Sequence, residues 1–580
     1  MFFSELATIF ESIEQTRSRL EMTEILAKLF SQTSSDEIGR VCYLLQGRVV
    51  PLYEPLEFGM ADKFVIKAIA LASEMDTEDV VKIFRKSGDL GTAAQSIRDE
   101  ESGKKEQGRK LSTIEVFDVL KEIAQIGGEG SQEKKITKLS NLLKDVDPLS
   151  VRYIIRIPLG KMRLGFSDMT ILDSLSWMLN GDKSLREPLE TAFNVRPDIG
   201  LIAQRVKEEG MKGLERITTV VGAPILSALC QRLPTADEMI EKMGEVSVEP
   251  KYDGVRVQIH WSKKGIQGVV VSNVKTYSRN LENTTVMFPE LQQMGDQIDG
   301  ESVILDSEAV GVDPATGKIL PFQETTTRKR KHDIAEAVKN VPLRFYVFDI
   351  LYKNGEQLLS VPLNKRRKLL EQTIQKGELF VISPHIVTSD PSEIREYHAK
   401  QLKAGLEGVV IKKWDGFYES GRRSFNWVKF KESEGKTGKL KDTIDAVVMG
   451  YYHGEGKRNG FGIGAFLVGV RKGDSMVTIS KIGTGVSDEQ WKELFTRFKA
   501  IKEGEKPKEY EDVSKLLVPD VWLRPQIVVE VAGDDLTKSP NHGTGYAIRF
   551  PRLIRVREDK SPNEATSVTE VEEMFKTQGS

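Results

Sequence analysis

The chain is poor in the residues that build metal frameworks and disulfide scaffolds. Its 580 residues include two cysteines, Cys42 and Cys230, and six scattered histidines with no paired H-x-x-x-H spacing. Two cysteines cannot furnish a four-cysteine zinc module or a disulfide framework, so both read as buried thiols of a reducing compartment. No apolar run approaches the length of a membrane span. The opening MFFSELATIFESIEQ carries acidic residues early and is amphipathic, unlike a secretory leader, so an intracellular, cytoplasmic protein is expected. Charge of one sign is also lacking. Lysine plus arginine number 84 against 86 acidic residues, a net charge of −2, which argues against a uniformly basic nucleic-acid binder. It leaves room for one basic face, because local charge decides such binding. No internal repeat or low-complexity segment is evident.

What is present sorts into three compositional regions, taken as 1–215, 216–435 and 436–580. The first reads as nearly all helix, with apolar residues at helical spacing in 4–30, 36–46, 62–73 and 78–86. Asp76-Thr77-Glu78 opens a helix that Gly88 stops, and Ser167-Asp168 opens another that Asn180-Gly181 closes. The charged stretch 98–110 reads as an exposed loop. Between two helices, Arg152, Arg156, Lys161 and Arg163 alternate with Gly160 and Gly165, a pattern suited to a phosphate backbone or to an ordinary solvated turn.

The second region carries strand signals at 255–261, 266–278, 302–310, 343–352, 408–412 and 427–431, with helices at 363–375 and 391–404. It is expected to be mixed α/β and largely antiparallel. After a Lys/Gly linker at 432–441, the third region is strand-rich with one helix at 487–501. Five or so short strands and a helix suit a small barrel of OB type. A short amphipathic stretch follows at 566–575.

The chemistry centres on Glu249-Pro250-Lys251-Tyr252-Asp253-Gly254-Val255-Arg256. Lys251 stands at the entry of a strand. A lysine is a nucleophile only as the free amine. In extended chain Lys251 and Asp253 point to one side. Gly254 permits close approach of a ligand or backbone, and Arg256 is a fixed fork for phosphate or ribose oxygens. Four such residues recur by chance, so the remainder of the chain must decide. Downstream come Tyr277-Ser278-Arg279 at a strand end, Asp306-Ser307-Glu308, the aromatic strand with Phe348, Glu407 before a buried strand, and Lys429 with Lys431 on one strand face. Last is the run from Arg549 to Lys560. Singly, each is an ordinary core aromatic or surface charge. Together they provide a nucleophilic amine, cations for a triphosphate, carboxylates for a divalent metal and a ribose, and an aromatic face for a purine.

With these motifs the chain resembles the covalent nucleotidyltransferases, and specifically the ATP-dependent DNA ligases of archaeal type. The similarity runs over essentially the whole chain, from IRIPLGKMRLGFSDMTILDSL through KYDGVR and YSRNLEN to RFPRLIRVREDKSP. The resemblance implies an all-α DNA-binding domain, an α/β adenylation domain and a C-terminal OB barrel. It implies that Lys251 takes AMP from ATP, that AMP passes to the 5′-phosphate of a nick in duplex DNA, and that the 3′-hydroxyl then seals the strand, with Mg²⁺ assisting. It implies that Glu249 reads the adenine edge, Phe348 stacks on the base and Glu308 serves ribose or metal. Glu407 would bind metal, and Lys429 and Lys431 the α-phosphate. Arg256, Arg279 and Arg423 would contact nucleotide or nick phosphate. The run Arg555 to Lys560 would orient pyrophosphate in the first step and then swing away with its domain. Replication, repair and recombination are the implied duties, as a monomer without membrane attachment. The chain departs from the family in having Asp306-Ser307-Glu308 for the usual Asp-Gly-Glu, and Pro224 to Leu229 where an R-P-M-L-A stretch is common. A sliding clamp is an implied partner, but the loop 98–110 offers no aromatic residue to bind one. The rival readings are an RNA ligase or RNA-capping guanylyltransferase, and a non-catalytic DNA scaffold. An NAD-dependent ligase is disfavoured by the missing four-cysteine module.

Overall fold

The computed structural model describes residues 1–16, 18–102, 110–266, 272–326, 328, 338–431, 443–454 and 461–578. It comprises two compact units, Met1–Phe430 and Lys431–Ser580.

The first unit begins with α-helices that follow one another from Phe3 to Glu209. Their ends obey local chemistry. The apolar periodicity of 4–30 is split into Phe3–Gln15 and Arg19–Gln32, because the Ser18 hydroxyl accepts from the Glu21 amide and starts a new helix. Gly88 and Gly181 take φ of 69° and 73° and stop their helices in the left-handed conformation. The stretch 98–110 is corrected in part. Helix Leu90–Ser102 runs through its first residues, started by Asp89, whose carboxylate accepts from the Thr92 amide at 2.8 Å. Residues 103–109 lie outside the described residues. A second correction concerns the basic turn. Arg156 is 2 % exposed and is gripped by Glu14 at 2.7 Å and Asp89 at 2.9 Å, while Arg152 meets Glu14 at 2.9 Å. These two arginines hold helices together; only the half-exposed Lys161 and Arg163 remain at the surface of the turn.

The rest of this unit is built on two sheets. Its strands are β1 (Leu229–Arg232), β2 (Val246–Pro250), β3 (Val255–Ile266), β4 (Ser272–Ser278), β5 (Ser302–Gly311), β6 (Leu343–Lys353), β7 (Glu356–Gln357), β8 (Phe380–Ile382), β9 (Ile386–Thr388), β10 (Gly408–Lys413) and β11 (Arg423–Lys431). One sheet has the order β1-β11-β10-β2-β9. The other is β4-β3-β5-β6-β7, with β8 beside β6. β1 pairs with β11 and β6 with β8 in parallel, whereas β2 pairs antiparallel with β9 and β10, and β3 with β4, β3 with β5, β5 with β6 and β6 with β7 are antiparallel. β3 runs on to Ile266, so the strand expected from 266 starts later, at Ser272. Helix Leu363–Thr373 is pinned to β6 by Arg366, whose fork meets buried Asp349 at 2.8 and 2.9 Å. The helical and two-sheet regions meet at a seam of Tyr53, Ala223, Tyr277 and Leu281. Buried His260 fastens this seam. Its Nδ1 accepts from the Gly222 amide at 3.0 Å, and its Nε2 lies 2.9 Å from the Gln258 side-chain oxygen Oε1, which also accepts from the Ile225 amide.

The second unit is strand-rich and consistent with the OB domain of ATP-dependent ligases. Its strands are β12 (Ile444–Tyr452), β13 (Ala465–Lys472), β14 (Ser475–Ile482), β15 (Lys502–Glu503), β16 (Tyr510–Glu511), β17 (Val521–Leu523), β18 (Val528–Ala532), β19 (Asp535–Lys538), β20 (Tyr546–Arg549) and β21 (Arg552–Val556). β12, β13 and β14 form a meander, with β18 joining β12 to β21. The two- and three-residue strands raise the number above the five expected, since pieces so short carry no periodicity. Helix Asp488–Lys499 inserts Trp491, Leu494 and Phe498 into the core. The linker 432–441 lies outside the described residues.

Candidate active site

Lys251 is presented by the end of β2. Pro250 closes that strand, and the Lys251 amide donates to the Gly408 carbonyl at 2.9 Å while the Glu407 amide donates to the Lys251 carbonyl at 3.3 Å. The backbone thus fixes Lys251 against the start of β10, and its ammonium forms an ion pair with Glu407. Neither side chain is sealed from solvent. The Gly254 requirement is steric. A Cβ there would lie 2.4 Å from the Ala309 carbonyl oxygen, so the neighbouring β5 backbone, not a ligand, demands glycine.

β3 and β5 place Arg256 directly across from Glu308. The Arg256 guanidinium is clamped from several sides. It donates to both oxygens of Asp306 at 3.1 and 2.7 Å, to the Ala228 carbonyl at 2.8 Å and to the Tyr418 hydroxyl at 3.3 Å. Burial acts to lower its pKa, but fully buried Asp306 more than reverses this, and the group is held well above its ordinary value. Tyr418 completes the cluster by donating to Asp306 at 2.7 Å and accepting from the Ala228 amide at 3.1 Å. Glu308 is pushed up to about 7, chiefly by burial; Asp306 adds to the rise, and Lys251 and Arg256 oppose it.

Phe348 on β6 is half-buried and meets Trp427 edge-on at 5.9 Å. Lys412 joins the ring to Glu249. It is 1 % exposed, donates to Glu249 at 2.9 Å and to the Phe348 carbonyl at 3.2 Å, and its Nζ sits 4.6 Å from the Phe348 ring centre. Lys429 on β11 is half-buried and stands in register with Arg232. Arg423 is exposed at the first residue of β11, and Arg279 is exposed in the turn after β4. The side chain of Lys431 lies outside the described residues. In the second unit, Arg557 and Lys560 converge on Asp445 at 2.9 and 2.6 Å, and Arg555 meets Glu530 at 2.7 Å.

The structure therefore gathers Glu249, Lys251, Arg256, Glu308, Phe348 and Glu407 on or beside strands β2, β3, β5, β6 and β10. Sequence reasoning missed Asp306, Tyr418, Lys412 and Arg367 as members of it. Asp306 and Lys412 lay inside motifs already singled out, whereas Tyr418 and Arg367 had no local signal. Among the described residues, no group of three or more His, Cys, Asp and Glu is placed to hold a metal, and no helix is long and apolar enough to cross a membrane. A cleft of about 310 Å³ lies elsewhere, lined by Gln46, Arg48, Arg163, Asp168 and Leu281.

Comparison with known proteins shows which family the chain belongs to. Residues 2–176 match the DNA ligase N terminus family, residues 227–431 the ATP dependent DNA ligase domain and residues 459–560 the ATP dependent DNA ligase C terminal region. A probable DNA ligase of Dictyoglomus turgidum is 43% identical, covering 100% of this chain and 98% of the relative. A DNA ligase of Staphylothermus marinus is 38% identical, covering 100% and 99%. The solved structure named Pmar-Lig_Pre shares the fold at a TM-score of 0.55 and 17% identity, covering 95% of this chain and 99% of that one. The chain belongs to the ATP-dependent DNA ligases. It is an enzyme of that family, and the RNA-directed and non-catalytic readings are not favoured.

Proposed function

We propose that the chain seals nicks in duplex DNA in three steps through Lys251. The Lys251 amine, released from Glu407 and deprotonated, attacks the α-phosphorus of ATP; an N–P bond forms, the α–β bridging bond breaks and pyrophosphate leaves. An oxygen of the 5′-phosphate at the nick then attacks the same phosphorus. The N–P bond breaks, and Lys251 takes back a proton. The 3′-hydroxyl finally attacks the activated 5′-phosphate, closing the phosphodiester and releasing AMP. The observation that carries this reading is the placement of Lys251, fixed by backbone bonds to the start of β10 and flanked by Glu407.

The other roles follow the same pattern. Glu249 reads the adenine edge, Phe348 stacks on the base, and Lys429 and Lys431 bind the α-phosphate. Arg279 and Arg423 meet nucleotide or nick phosphate. Arg256 contributes positive charge while still clamped by Asp306. Arg555 to Lys560 orient pyrophosphate. Glu308 and Glu407 would hold a divalent cation, Mg²⁺: a cation would neutralise the Glu308 carboxylate, which burial disfavours, and two carboxylates suit a hard ion that keeps waters and phosphate oxygens. Such an ion would screen the triphosphate's negative charge. Functionally the chain divides as 1–215, gripping the DNA backbone, 216–435, carrying adenylation, and 436–580. Lys161 and Arg163 suit the gripping role, being cations left at the surface. We place the enzyme in the cytoplasm at the nucleoid, acting as a monomer in replication, repair and recombination, with any sliding-clamp contact made outside 98–110.

Intact mass after incubation with Mg²⁺ and ATP tests the reading, on protein first stripped of AMP with pyrophosphate. A gain of one AMP, absent from Lys251→Ala, followed by sealing of nicked duplex, is expected. No adduct with any nucleotide would overturn it.

A further inference from the structure

We infer that Arg367 is a positioning residue for nucleotide choice, fixing the Glu249 carboxylate so that it accepts the 6-amino group of a purine. The inference rests on the adenylation reading above, in which Glu249 faces the base.

Arg367 lies on helix Leu363–Thr373 and is 5 % exposed. Two parts of its guanidinium are occupied. Nε donates to Glu371 at 3.2 Å, and Nη2 donates to the Ser383 carbonyl. The third, Nη1, is buried, makes no hydrogen bond and faces Glu249 Oε1 at 4.0 Å. Glu249 is equally asymmetric. Its Oε2 is tightly held by Lys412 at 2.9 Å, whereas Oε1 has only the Ser247 hydroxyl at 3.5 Å. A buried cation and a buried anion are thus aligned a little beyond hydrogen-bond reach, with one acceptor oxygen left underused. A buried donor without an acceptor is costly, so such a gap is a sign of a place where something else completes the arrangement.

Two cations, Lys412 at 2.9 Å from Oε2 and Arg367 at 4.0 Å from Oε1, flank the Glu249 carboxylate and restrain its rotation. A carboxylate held in this way is an acceptor only. Adenine offers an N–H donor at C6, which matches; guanine and hypoxanthine offer a carbonyl oxygen there, which the carboxylate repels. A site built to hydrogen-bond one substrate group discriminates strongly against an analogue lacking it. Lys412 also touches the Phe348 carbonyl and ring, so the carboxylate is tied to the aromatic face on which the base would rest. Arg367 acts here without touching the nucleotide.

The test is a cycle of two proteins and two nucleotides. Formation of the Lys251 adduct is measured with ATP and with purine riboside 5′-triphosphate, which lacks the 6-amino group. The wild type is expected to prefer ATP to purine riboside triphosphate by about tenfold or more in kcat/KM, the worth of a hydrogen bond to a charged group. In Arg367→Met the efficiency with ATP falls about tenfold through KM, while that with purine riboside triphosphate hardly changes, so the preference collapses. A purely structural Arg367 would depress both nucleotides alike and leave the ratio intact, which overturns the inference. An unchanged Arg367→Met overturns it too. Arg367→Gln, which keeps a donor for Ser383 but loses the charge, carries the same comparison should the methionine variant fail to fold. If the wild type forms no adduct with ATP, the adenylation reading itself has failed; a wild type that forms one, with an unmoved ratio in the variants, defeats only the role of Arg367.

Discussion

Two carboxylate-bound arginines invite comparison. Arg156, in the helical region, and Arg256, beside Lys251, both stand in basic, glycine-bearing stretches that suit phosphate. The structure ties each to carboxylates: Arg156 to Glu14 and Asp89, Arg256 to Asp306. Yet their surroundings differ. Around Arg156 the charges are spent on joining helices, and the pairs are closed by Tyr153 and Arg152. Around Arg256 the clamp stops short of its neighbours. Glu308 across the strand is left as a carboxyl near neutrality, Lys251 keeps partial exposure, and the guanidinium lies 5.6 Å from the Phe348 ring centre. Satisfied charge builds a fold; charge left partly unsatisfied beside it is where a charged substrate gains binding.

The sharpest way to break that contrast is at Lys251. Lys251→Ala should reduce sealing by about four orders of magnitude or more, because no other group replaces a covalent nucleophile, while the melting temperature stays close to wild type. Mass spectrometry and thermal melts check both halves; a variant that still sealed nicks would end the covalent mechanism. Next in size come the arginines themselves. Removing one partner of a buried pair strands the other, at about 3–5 kcal/mol. Arg156→Met should cost this in denaturant unfolding and leave adenylation per folded molecule unchanged. Arg256→Met should cost a similar amount and lower adenylation as well. Equal adenylation in the two variants would erase the distinction drawn between the regions.

The same pair marks how far the sequence could be read. Helix stops at Gly88 and Gly181 and the mixed sheets were legible because they depend on neighbours within a few residues, whereas Lys251, expected at the entry of the strand from 255, instead follows β2, a strand the pattern did not single out. The partner of Arg156 was not. Glu14 lies over 140 residues away, and nothing in IRIPLGKMRLG says whether its cations face water or a carboxylate. Tyr418, joined to Asp306 from a loop more than 100 residues downstream, was hidden for the same reason. The short strands at Lys502–Glu503 and Tyr510–Glu511 escaped because two residues show no alternation. Pattern gives elements and their faces; it does not give which faces meet.

The seam between the two regions supplies a smaller, pH-dependent test. Burial, helped by nearby Lys275, pushes His260 down to about 3. The unfolded chain takes up that proton near pH 6.5, so the folded state loses stability as pH falls from about 6.5 toward 3, by up to about 1.4 kcal/mol for each pH unit. Above 6.5 the group contributes no pH dependence. His260→Gln should flatten this part of the acid limb in denaturant melts taken between pH 4 and 7. An unchanged slope would show that the imidazole already titrates at its ordinary value and that the seam is open to water.

The smallest effect expected is that of Tyr418→Phe, and it bears on the comparison most directly. The substitution removes one hydroxyl and little volume. Asp306 keeps both bonds from Arg256, and Ala228 keeps its carbonyl bond to the same guanidinium, so the clamp survives with one donor fewer. The loss of a hydrogen bond to a buried carboxylate, with the Ala228 amide left unpaired, should cost about 1–3 kcal/mol. If the clamp were only structural, as at Arg156, adenylation would be untouched. If it holds Arg256 in place for the nucleotide, KM for ATP should rise a few-fold with kcat nearly constant, because the charge is still present but less firmly aimed. Kinetics of adduct formation across ATP concentrations distinguish the two, and a fall in kcat at constant KM would instead place Arg256 in the transition state of the transfer itself.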